Sequence, residues 1–347
     1  MIPILYDTSE TQFTSNGICR LPDCISCQVT EERNSIYELL LEYPVTGKNF
    51  DKIQLGRVAA VTHDDSGDIQ PFDLVAMSKP IDGKVKFKGV HISYRLNGCS
   101  AQVAKGTDAN GMAALVSVAA RPFTFYSDTV FDGTIPEFDG LPHTIKNYLG
   151  GTDGSLLDTF GGEYEFDKFN VKFYRQRGEK KNFDIRYGLN LVDYNEDLDY
   201  SEIYNAVVPY WVGESTSVVG SVVDSGTPTY NGINKTMPLD LSDRFDSAPT
   251  TTQLNKAARS FMATNKPYLP KHSIEVDFIR LQDSPDYKQF ASLMTCRLCD
   301  IITVIFPMYN ISADFKIVRV TWDVLKGRYE SIELGELATT LAQALGI

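Results

Sequence analysis

Residues 37–44 have the sequence Tyr-Glu-Leu-Leu-Leu-Glu-Tyr-Pro, and this stretch decides the fold class. Large apolar side chains occupy every second position from Tyr37 to Tyr43, and two of the three residues between them are glutamates. A period of two places alternate side chains on opposite faces of an extended chain. The segment is therefore predicted to be a half-buried strand that stops at Pro44.

The same period recurs along the chain. Lysines alternate with Val85 and Phe87 in residues 84–88, and every second residue from Val90 to Leu96 is apolar. Further strands are predicted from alternation or from short buried runs at residues 164–174, 183–191, 274–278, 301–306 and 315–317. These patterns predict an α+β protein that is predominantly β.

Two segments have helical spacing instead. Apolar residues in 141–149 predict a helix that Gly150-Gly151 ends. Residues 250–265 give the strongest helix signal, because a capping box precedes an apolar face with i, i+3, i+4, i+7 spacing. Residues 224–249 are rich in small polar residues and proline, and they are predicted to be a loop.

One basic cluster lies between two predicted strands. Arg175, Arg177, Lys180 and Lys181 surround Gly178. Because charged residues around a glycine are typical of a hairpin tip, the cluster is predicted to be a solvated turn rather than a phosphate site.

Composition limits the class of protein. The 347 residues are 43% hydrophobic and 22% charged, which is typical of a folded chain with a sizeable core. The longest nearly uninterrupted apolar stretch, Met112 to Ala120, is shorter than a membrane span, so no membrane insertion is predicted. A net charge of -12 disfavours nucleic-acid binding as the main activity, because such a surface repels phosphate backbones.

The cysteines permit one metal hypothesis. Cys24 and Cys27 form one C-x-x-C pair, and Cys296 and Cys299 form another. Four thiolates can bind zinc, but neither pair contains the Gly or Pro that usually tightens a zinc knuckle. An extended spacing of three also places two sulfurs on opposite faces of a strand. We expect reduced cysteines, with no metal and no cofactor.

Two Asp-Ser-Gly stretches raise the alternative of an aspartic dyad, which needs two matching loops that share one proton. They begin at Asp65 and Asp224, and only the second follows apolar residues. The first lies in a polar run, 62–68, that is typical of a hairpin loop. Both are predicted to be turns.

The usual catalytic signatures are absent from the sequence. The four histidines do not have H-x-x-x-H spacing, and there is no G-x-S-x-G elbow, phosphate-binding P-loop or dinucleotide fingerprint. No catalytic, cofactor-binding or metal-binding residue is therefore predicted.

A series of short elements resembles a known family. In chain order they are Leu149–Asp158 (LGGTDGSLLD), Gly161–Glu163, Arg177-Gly178, Ile185–Leu191, Val208–Tyr210, Ile274–Phe278, Arg297–Asp300 (RLCD) and Arg328–Gly335. Their order and spacing, over roughly residues 20 to 335, are similar to those of the prophage endopeptidase tail family, also called tail-associated lysins or phage minor structural proteins.

The resemblance implies the architecture of the trimeric baseplate hub of contractile tails. Each chain of such a hub has two tube-forming β-barrel domains and two peripheral mixed α/β domains. In this sequence the implied units are 1–98 (first tube domain), 99–195 (peripheral), 196–227 with 272–336 (second tube domain), 228–271 (small helical peripheral insertion) and 337–347 (tail).

The resemblance also implies a function. The expected protein is a homotrimer in the virion tail tip, made in the bacterial host cytoplasm, that connects the tail tube to tip or fibre proteins. Its expected partners are tail-tube, distal-tail and fibre or receptor-binding proteins. DNA would pass through the ring without specific binding.

The family description also names an endopeptidase. In longer relatives the wall-degrading activity lies in downstream modules, and this sequence continues for only about a dozen residues beyond Leu334-Gly335. We therefore expect a hub that is not an enzyme. The alternative is a tail-associated murein endopeptidase. A third hypothesis, a glycan-binding module, rests on eighteen tyrosines and nineteen phenylalanines, which core and interface packing explains more simply.

Overall fold

The computed structural model describes residues 1–102, 108–128, 141–151, 154–187, 191–199, 201, 203–226, 235–245, 247–265, 267–269, 271–278, 295–309 and 311–336. The tail predicted at 337–347 lies outside these residues. The chain divides into two compact units, residues 1–194 with 275–337 and residues 195–274 with 338–347.

The first unit begins with an antiparallel set of seven strands. They are β1 (Ile4–Tyr6), β2 (Cys19–Arg20), β3 (Ser26–Glu32), β4 (Tyr37–Pro44), β5 (Val58–Thr62), β6 (Ile69–Ser78) and β7 (Lys84–His91). The alternation predicted for β4 is confirmed, because Tyr37, Leu39, Leu41 and Tyr43 are each at most 2% exposed. Their side chains join a core that also contains Trp322 and Val324.

The strand predicted to resume after Gly89 is interrupted. Residues Ile92–Gly98 form a 3-10 helix, not an extended strand. The His91 imidazole accepts the backbone N–H of Ser93 and caps the first turn. Ile92 and Leu96 are still buried, so apolar alternation alone did not distinguish the two conformations.

The next segment is mixed. It contains β8 (Ser100–Ala101), α1 (Ala109–Ala119), β9 (Thr124–Ser127), β10 (His143–Thr144), α2 (Ile145–Leu149), α3 (Leu156–Phe160), β11 (Glu163–Asp167) and β12 (Asn170–Tyr174). The helix predicted over 141–149 begins only at Ile145, because His143 and Thr144 pair with β8. Strands β11, β12 and β9 form a small separate sheet.

Six later strands join the first seven strands in one large sheet. They are β13 (Lys180–Arg186), β14 (Leu191–Asp199), β19 (Lys271–Phe278), β20 (Ile301–Phe306), β21 (Ile311–Asp323) and β22 (Arg328–Glu336). Strand β3 pairs with β4 on one side and with β21 on the other. The early and late β segments therefore belong to one sheet and do not form two separate ones.

The strand order of that sheet is β14-β19-β22-β21-β3-β4-β7-β6-β5-β1-β2, and β13 joins through β20, which pairs with β21. Among the described residues the first and last strands of this order do not pair with each other, so no closed barrel is found. The prediction of a predominantly β fold is confirmed. The two barrels and the four-unit division stay predictions.

The second unit has a small sheet covered by one helix. It contains β15 (Ala206–Val212), β16 (Ser217–Val219), β17 (Val223–Asp224), β18 (Thr236–Asp240) and α4 (Thr251–Asn265). Part of the predicted loop 224–249 is strand β18, which pairs in parallel with β15.

Helix α4 follows its sequence prediction closely. The backbone N–H of Gln253 donates to Thr250 Oγ1, and Gln253 Oε1 accepts the backbone N–H of Thr250, as in a capping box. Leu254, Ala258 and Met262 from its apolar face lie in the core of this unit.

Candidate functional site

The basic segment predicted to be a hairpin tip has a different structure. Strand β12 pairs with β11 and β9, whereas β13 pairs with β20, so the segment connects two different sheets. Arg175 is exposed, but only 13% of the Arg177 side chain and 14% of the Lys181 side chain are accessible. The prediction of a solvated turn is wrong for these last two residues, because Glu31 of β3 pairs with Arg177, and Glu179 and Asp300 pair with Lys181.

Gly178 lies against the turn at residues 297–300. Its φ is +80°, and a Cβ atom added to it would lie 2.3 Å from the carbonyl oxygen of Cys299. The backbone N–H of Glu179 donates to Asp300 Oδ1 at 3.0 Å, and the N–H of Ile301 donates to the carbonyl of Glu179. The Arg177-Gly178 element and the turn 297–300 are 120 residues apart in the sequence and are in contact in the fold. We call this contact region the junction.

Asp300 fixes the turn from within. Its Oδ2 atom accepts the backbone N–H of Arg297 at 2.8 Å and lies 3.2 Å from Lys181 Nζ. Cys299, the residue before Asp300 in this turn, has a φ of +73°. A buried carboxylate with this set of donors holds both the turn and the neighbouring strand β13 in place.

Arg177 forms one of the buried ion pairs of the junction. Its Nη1 atom lies 2.9 Å from Glu31 Oε1 and also donates to the carbonyl of Tyr164. Burial opposes its charge, but the nearby Glu31 and Glu165 carboxylates raise the pKa of Arg177 above its usual value. Arg177 therefore joins β3 of the large sheet to β11 of the small sheet.

Glu163 supplies a second buried carboxylate. Its Oε1 atom lies 2.6 Å from Lys316 Nζ, and Oε2 accepts the backbone N–H of Arg177 at 2.6 Å. The side chains of Glu163 and Lys316 are each 7% accessible. Arg33 Nη1 also lies 3.4 Å from Glu163 Oε1, so Glu163 has two cationic partners. Removing Glu163 would leave the buried Lys316 ammonium without its carboxylate.

A cavity of about 410 Å³ opens beside this junction. Its basic side chains are each matched by a carboxylate: Arg177 with Glu31, Lys172 with Glu165, Lys181 with Asp300, and Arg297 with Asp64. Because every cation in this set already has an anionic partner, the cavity has the electrostatics of a structural network rather than of a phosphate-binding site.

Two buried thiols, Cys299 in the junction and Cys27 of β3 in the core, are poor nucleophiles. Burial raises the pKa of Cys299 to about 12, and burial also raises the pKa of Cys27 well above its usual value. A thiol with such a pKa stays protonated at neutral pH, and the thiolate is the reactive form.

The C-x-x-C pairs lie in ordinary structural positions. Cys27 is in β3 and in the core, whereas Cys24 is partly exposed and its thiol donates to the carbonyl of Ser26. Cys296 and Cys299 are buried at the turn before β20. Across the described residues, no group of three or more His, Cys, Asp or Glu side chains is arranged to bind a metal ion.

The Asp-Ser-Gly stretch at Asp65 is a turn, as predicted, and the second stretch bends at Gly226 after Asp224, the last residue of β17. Residues 63–68 connect β5 to β6, which pair as an antiparallel hairpin, and Asp64 Oδ1 accepts the backbone N–H of Ser66. Asp224 Oδ1 accepts the backbone N–H of Gly226 at 2.7 Å. Asp65 and Asp224 also belong to different compact units of the chain.

The structure thus contains a junction that the sequence analysis missed. The sequence predicted no site residues, and Arg177, Glu31, Glu163 and Asp300 are brought together by pairings between strands far apart in the chain. The available signal was that two family elements, Arg177-Gly178 and the turn 297–300, are each short, charged and next to a strand. In the described part of the chain, no helix is both long and apolar enough to cross a bilayer.

The comparison with family models supports the resemblance. Residues 179–345 match the model described as prophage endopeptidase tail. The match includes the 297–300 turn and the closing element at 328–335, and it begins directly after Gly178. A search of curated proteins gives no significant match.

Solved structures match over nearly the whole chain. A prophage tail protein from Listeria monocytogenes has a TM-score of 0.63 and 15% identity, over 100% of this chain and 98% of that chain. The 43 kDa tail protein of prophage MuSo2 from Shewanella oneidensis has a TM-score of 0.66 and 13% identity, over 96% of this chain and 98% of that chain.

A more distant match comes from E. coli. It is a type VI secretion system component described as structurally similar to T4 bacteriophage tail proteins, with a TM-score of 0.50 and 8% identity over 92% of this chain and 74% of that chain. At these identities the matches show a shared fold. The predicted family resemblance is confirmed.

Proposed function

We propose that this chain, whose fold is that of prophage tail proteins, is a structural component of a phage or prophage tail tip. In this proposal it is a baseplate hub whose copies close into a homotrimeric ring that connects the tail tube to tip or fibre proteins. The observation that carries the proposal is the fold shared with the Listeria and Shewanella tail proteins over at least 96% of the chain. The likeness to a secretion component that is itself similar to T4 tail proteins supports the hub assignment.

The charge of the chain fits a passage for DNA. Each chain carries a net charge of -12, so a ring of three would carry about three times that charge. An acidic inner wall repels phosphate groups and would let DNA slide without adhering.

The end of the β6–β7 hairpin is the surface we assign to contact between copies. Strand β5 pairs with β6 only as far as Asp73, and β6 then continues to Ser78 beside β7 alone. Val75 and Met77 are 49% and 40% exposed, and Ile81 at the tip is fully exposed. An apolar strand with an open edge invites pairing with another chain, and ring closure would cover it.

This assignment predicts the effect of one substitution on assembly. Light scattering of the purified chain at high concentration should give about 116 kDa, three times the 38.7 kDa of one chain. Ile81→Asp places a charge in the apolar contact and should reduce the measured mass to that of one chain. Val118→Asp is the matched control, because Val118 is a 74% exposed residue on α1 and its substitution should leave the trimer intact. A wild-type monomer at every concentration, or a trimeric Ile81→Asp variant, would contradict the assignment.

The alternative function, a murein endopeptidase, is supported by the family description alone. We expect purified chain to release no peptide fragments from bacterial murein, because the buried carboxylates of the 410 Å³ cavity, Glu31, Asp64 and Asp300, are paired with basic side chains. Fragment release that is lost in an Asp224→Asn variant would favour the peptidase.

A further inference from the structure

Lys146 lies in an aromatic pocket away from the charged junction. It is on α2, and its Nζ atom lies 4.6 Å from the ring centroid of Phe166 and 5.9 Å from that of Tyr94. The pocket has a volume of about 240 Å³, and Leu149, Gly150 and Leu157 of the Leu-Gly-Gly element form part of its wall. This element is outside the segment matched by the family model, and the proposed tail role does not use it.

Among the described residues, the Lys146 ammonium in this pocket has no anionic partner. None of its described lining residues has a carboxylate, and within the described residues Lys146 has no ion pair. Three charged groups on neighbouring elements have other partners: Arg95 binds Asp73, Glu165 binds Lys172, and Asp158 accepts the N–H of Gly154. The aromatic faces stabilise the ammonium only in part, because a cation–π contact contributes about 0.5–2 kcal/mol.

Burial lowers the pKa of Lys146 to about 8. The side chain is therefore mainly protonated at pH 7, in an environment that disfavours its charge. An anion bound beside Nζ would relieve this cost and raise the pKa of Lys146 again.

We propose that this pocket binds a carboxylate carried on a short apolar stem, with the carboxylate paired to Lys146 Nζ and the stem between Phe166, Leu149 and Leu157. The volume fits such a ligand, since about 30 Å³ for each water-sized group gives room for about eight non-hydrogen atoms. The inference does not depend on the tail role. Free short-chain acids and glutamate side chains of a polypeptide share this chemistry.

Binding should depend on pH through Lys146. Glu32, Glu38 and Lys88 interact electrostatically with the pocket residue Tyr94, and Glu38 and Lys88 pair with each other. Other ionisable groups around Lys146 are Tyr94 and Tyr164, whose pKa values burial raises, and His91, whose pKa burial lowers well below its usual value. These three stay neutral between pH 7 and 9. Affinity should therefore be constant below pH 8 and fall about tenfold for each pH unit above it, because the neutral amine no longer attracts the anion.

The test uses the full-length protein and butyrate as the probe. Carbon-13 labelled lysine side chains are followed by NMR during titration with butyrate and with butyramide, which has the same shape without the charge. We expect saturable binding of butyrate with a shift of the Lys146 signal, and at least tenfold weaker binding of butyramide. Comparison with an acetylated, amidated Ala-Glu-Ala peptide separates the two sources, since tighter binding of the peptide indicates a polypeptide ligand and tighter binding of butyrate a free acid.

Variants complete the test. Lys146→Met should weaken butyrate binding at least tenfold, whereas Lys86→Met, at an exposed position on β7, should not change it. Native dispersion of the NMR spectrum would show that Lys146→Met is folded. If that variant fails to fold, the pH dependence of butyrate binding to the wild-type protein tests the role of Lys146 instead. Equal binding of butyrate and butyramide, undiminished binding by Lys146→Met, or an affinity that does not change between pH 7 and 9 would overturn the proposal.

Discussion

Replacing Gly178 with alanine is expected to destabilise the first unit by about 3 kcal/mol or more. The positive φ of +80° costs an alanine about 1–2 kcal/mol. The added Cβ would also lie 2.3 Å from the oxygen and 2.4 Å from the carbon of the Cys299 carbonyl. These are backbone atoms of a turn that Asp300 holds through two hydrogen bonds, so the turn cannot move away without losing them. Overpacking of this kind costs a further 1–3 kcal/mol or so.

The measurement is urea unfolding followed by tryptophan fluorescence. The chain has two tryptophans, and a Trp211→Phe background leaves Trp322, in the core of the first unit, as the reporter. Gly327→Ala is the matched control, because Gly327 has a φ of +66° but no atom within 4 Å of the added Cβ. The free energy of unfolding of Gly327→Ala should fall by about 1–2 kcal/mol, from backbone strain alone. Equal decreases in the free energy of unfolding of the two variants would show that the Cβ added at residue 178 does not clash with the Cys299 carbonyl.

Replacing Arg177 with methionine is expected to lower the free energy of unfolding by about 3–5 kcal/mol. The substitution keeps much of the side-chain volume but leaves Glu31, which is 7% exposed, without the cation 2.9 Å away. An unpaired buried charge is more costly than the ion pair is favourable. The carbonyl of Tyr164 also loses a donor.

A double-mutant cycle separates the charge from the loss of packing. Glu31→Gln combined with Arg177→Met should be more stable than the sum of the two single changes predicts, because the uncompensated charge is gone. Arg175→Met, at the exposed position two residues earlier, should change the free energy of unfolding by less than about 0.5 kcal/mol. An Arg177→Met variant as stable as Arg175→Met would mean that the junction does not stabilise the fold.

Local elements of this fold could be predicted from the sequence. The strand at Tyr37–Pro44 and the helix at Thr251–Asn265 have unambiguous periods, and their own side chains determine which face is buried. The 3-10 helix after His91 was missed because Ile92 and Leu96 are buried in either conformation.

The pairing of distant segments could not be predicted from periodicity. In the large sheet, Thr30 is opposite Thr321 and Glu31 is opposite Val320, and no local pattern specifies that β3 lies between β4 and β21. The two tube domains implied by the resemblance stay predictions, whereas the pairing of β3 with β21 shows that strands from the start and the end of the chain share one sheet.

The charged junction was missed for the same reason. A basic residue in a glycine-containing turn is usually solvated, and Arg177 is buried only because Glu31, 146 residues earlier, lies next to it. The sequence elements at Arg177-Gly178 and at the turn 297–300 were visible, but their contact appears only in the fold. The resemblance to tail proteins correctly implied a predominantly β fold, and the structure shows how these two elements contact each other.

The central claim is that copies of this chain close into a ring at a phage tail tip. Electron microscopy of the purified protein at high concentration, with unsupervised classification of particle images, tests it most directly. We predict end-on views of a threefold ring with a central opening, which Ile81→Asp abolishes and Val118→Asp retains. Images that contain only single chains, or closed assemblies with another symmetry and no opening, would contradict the account.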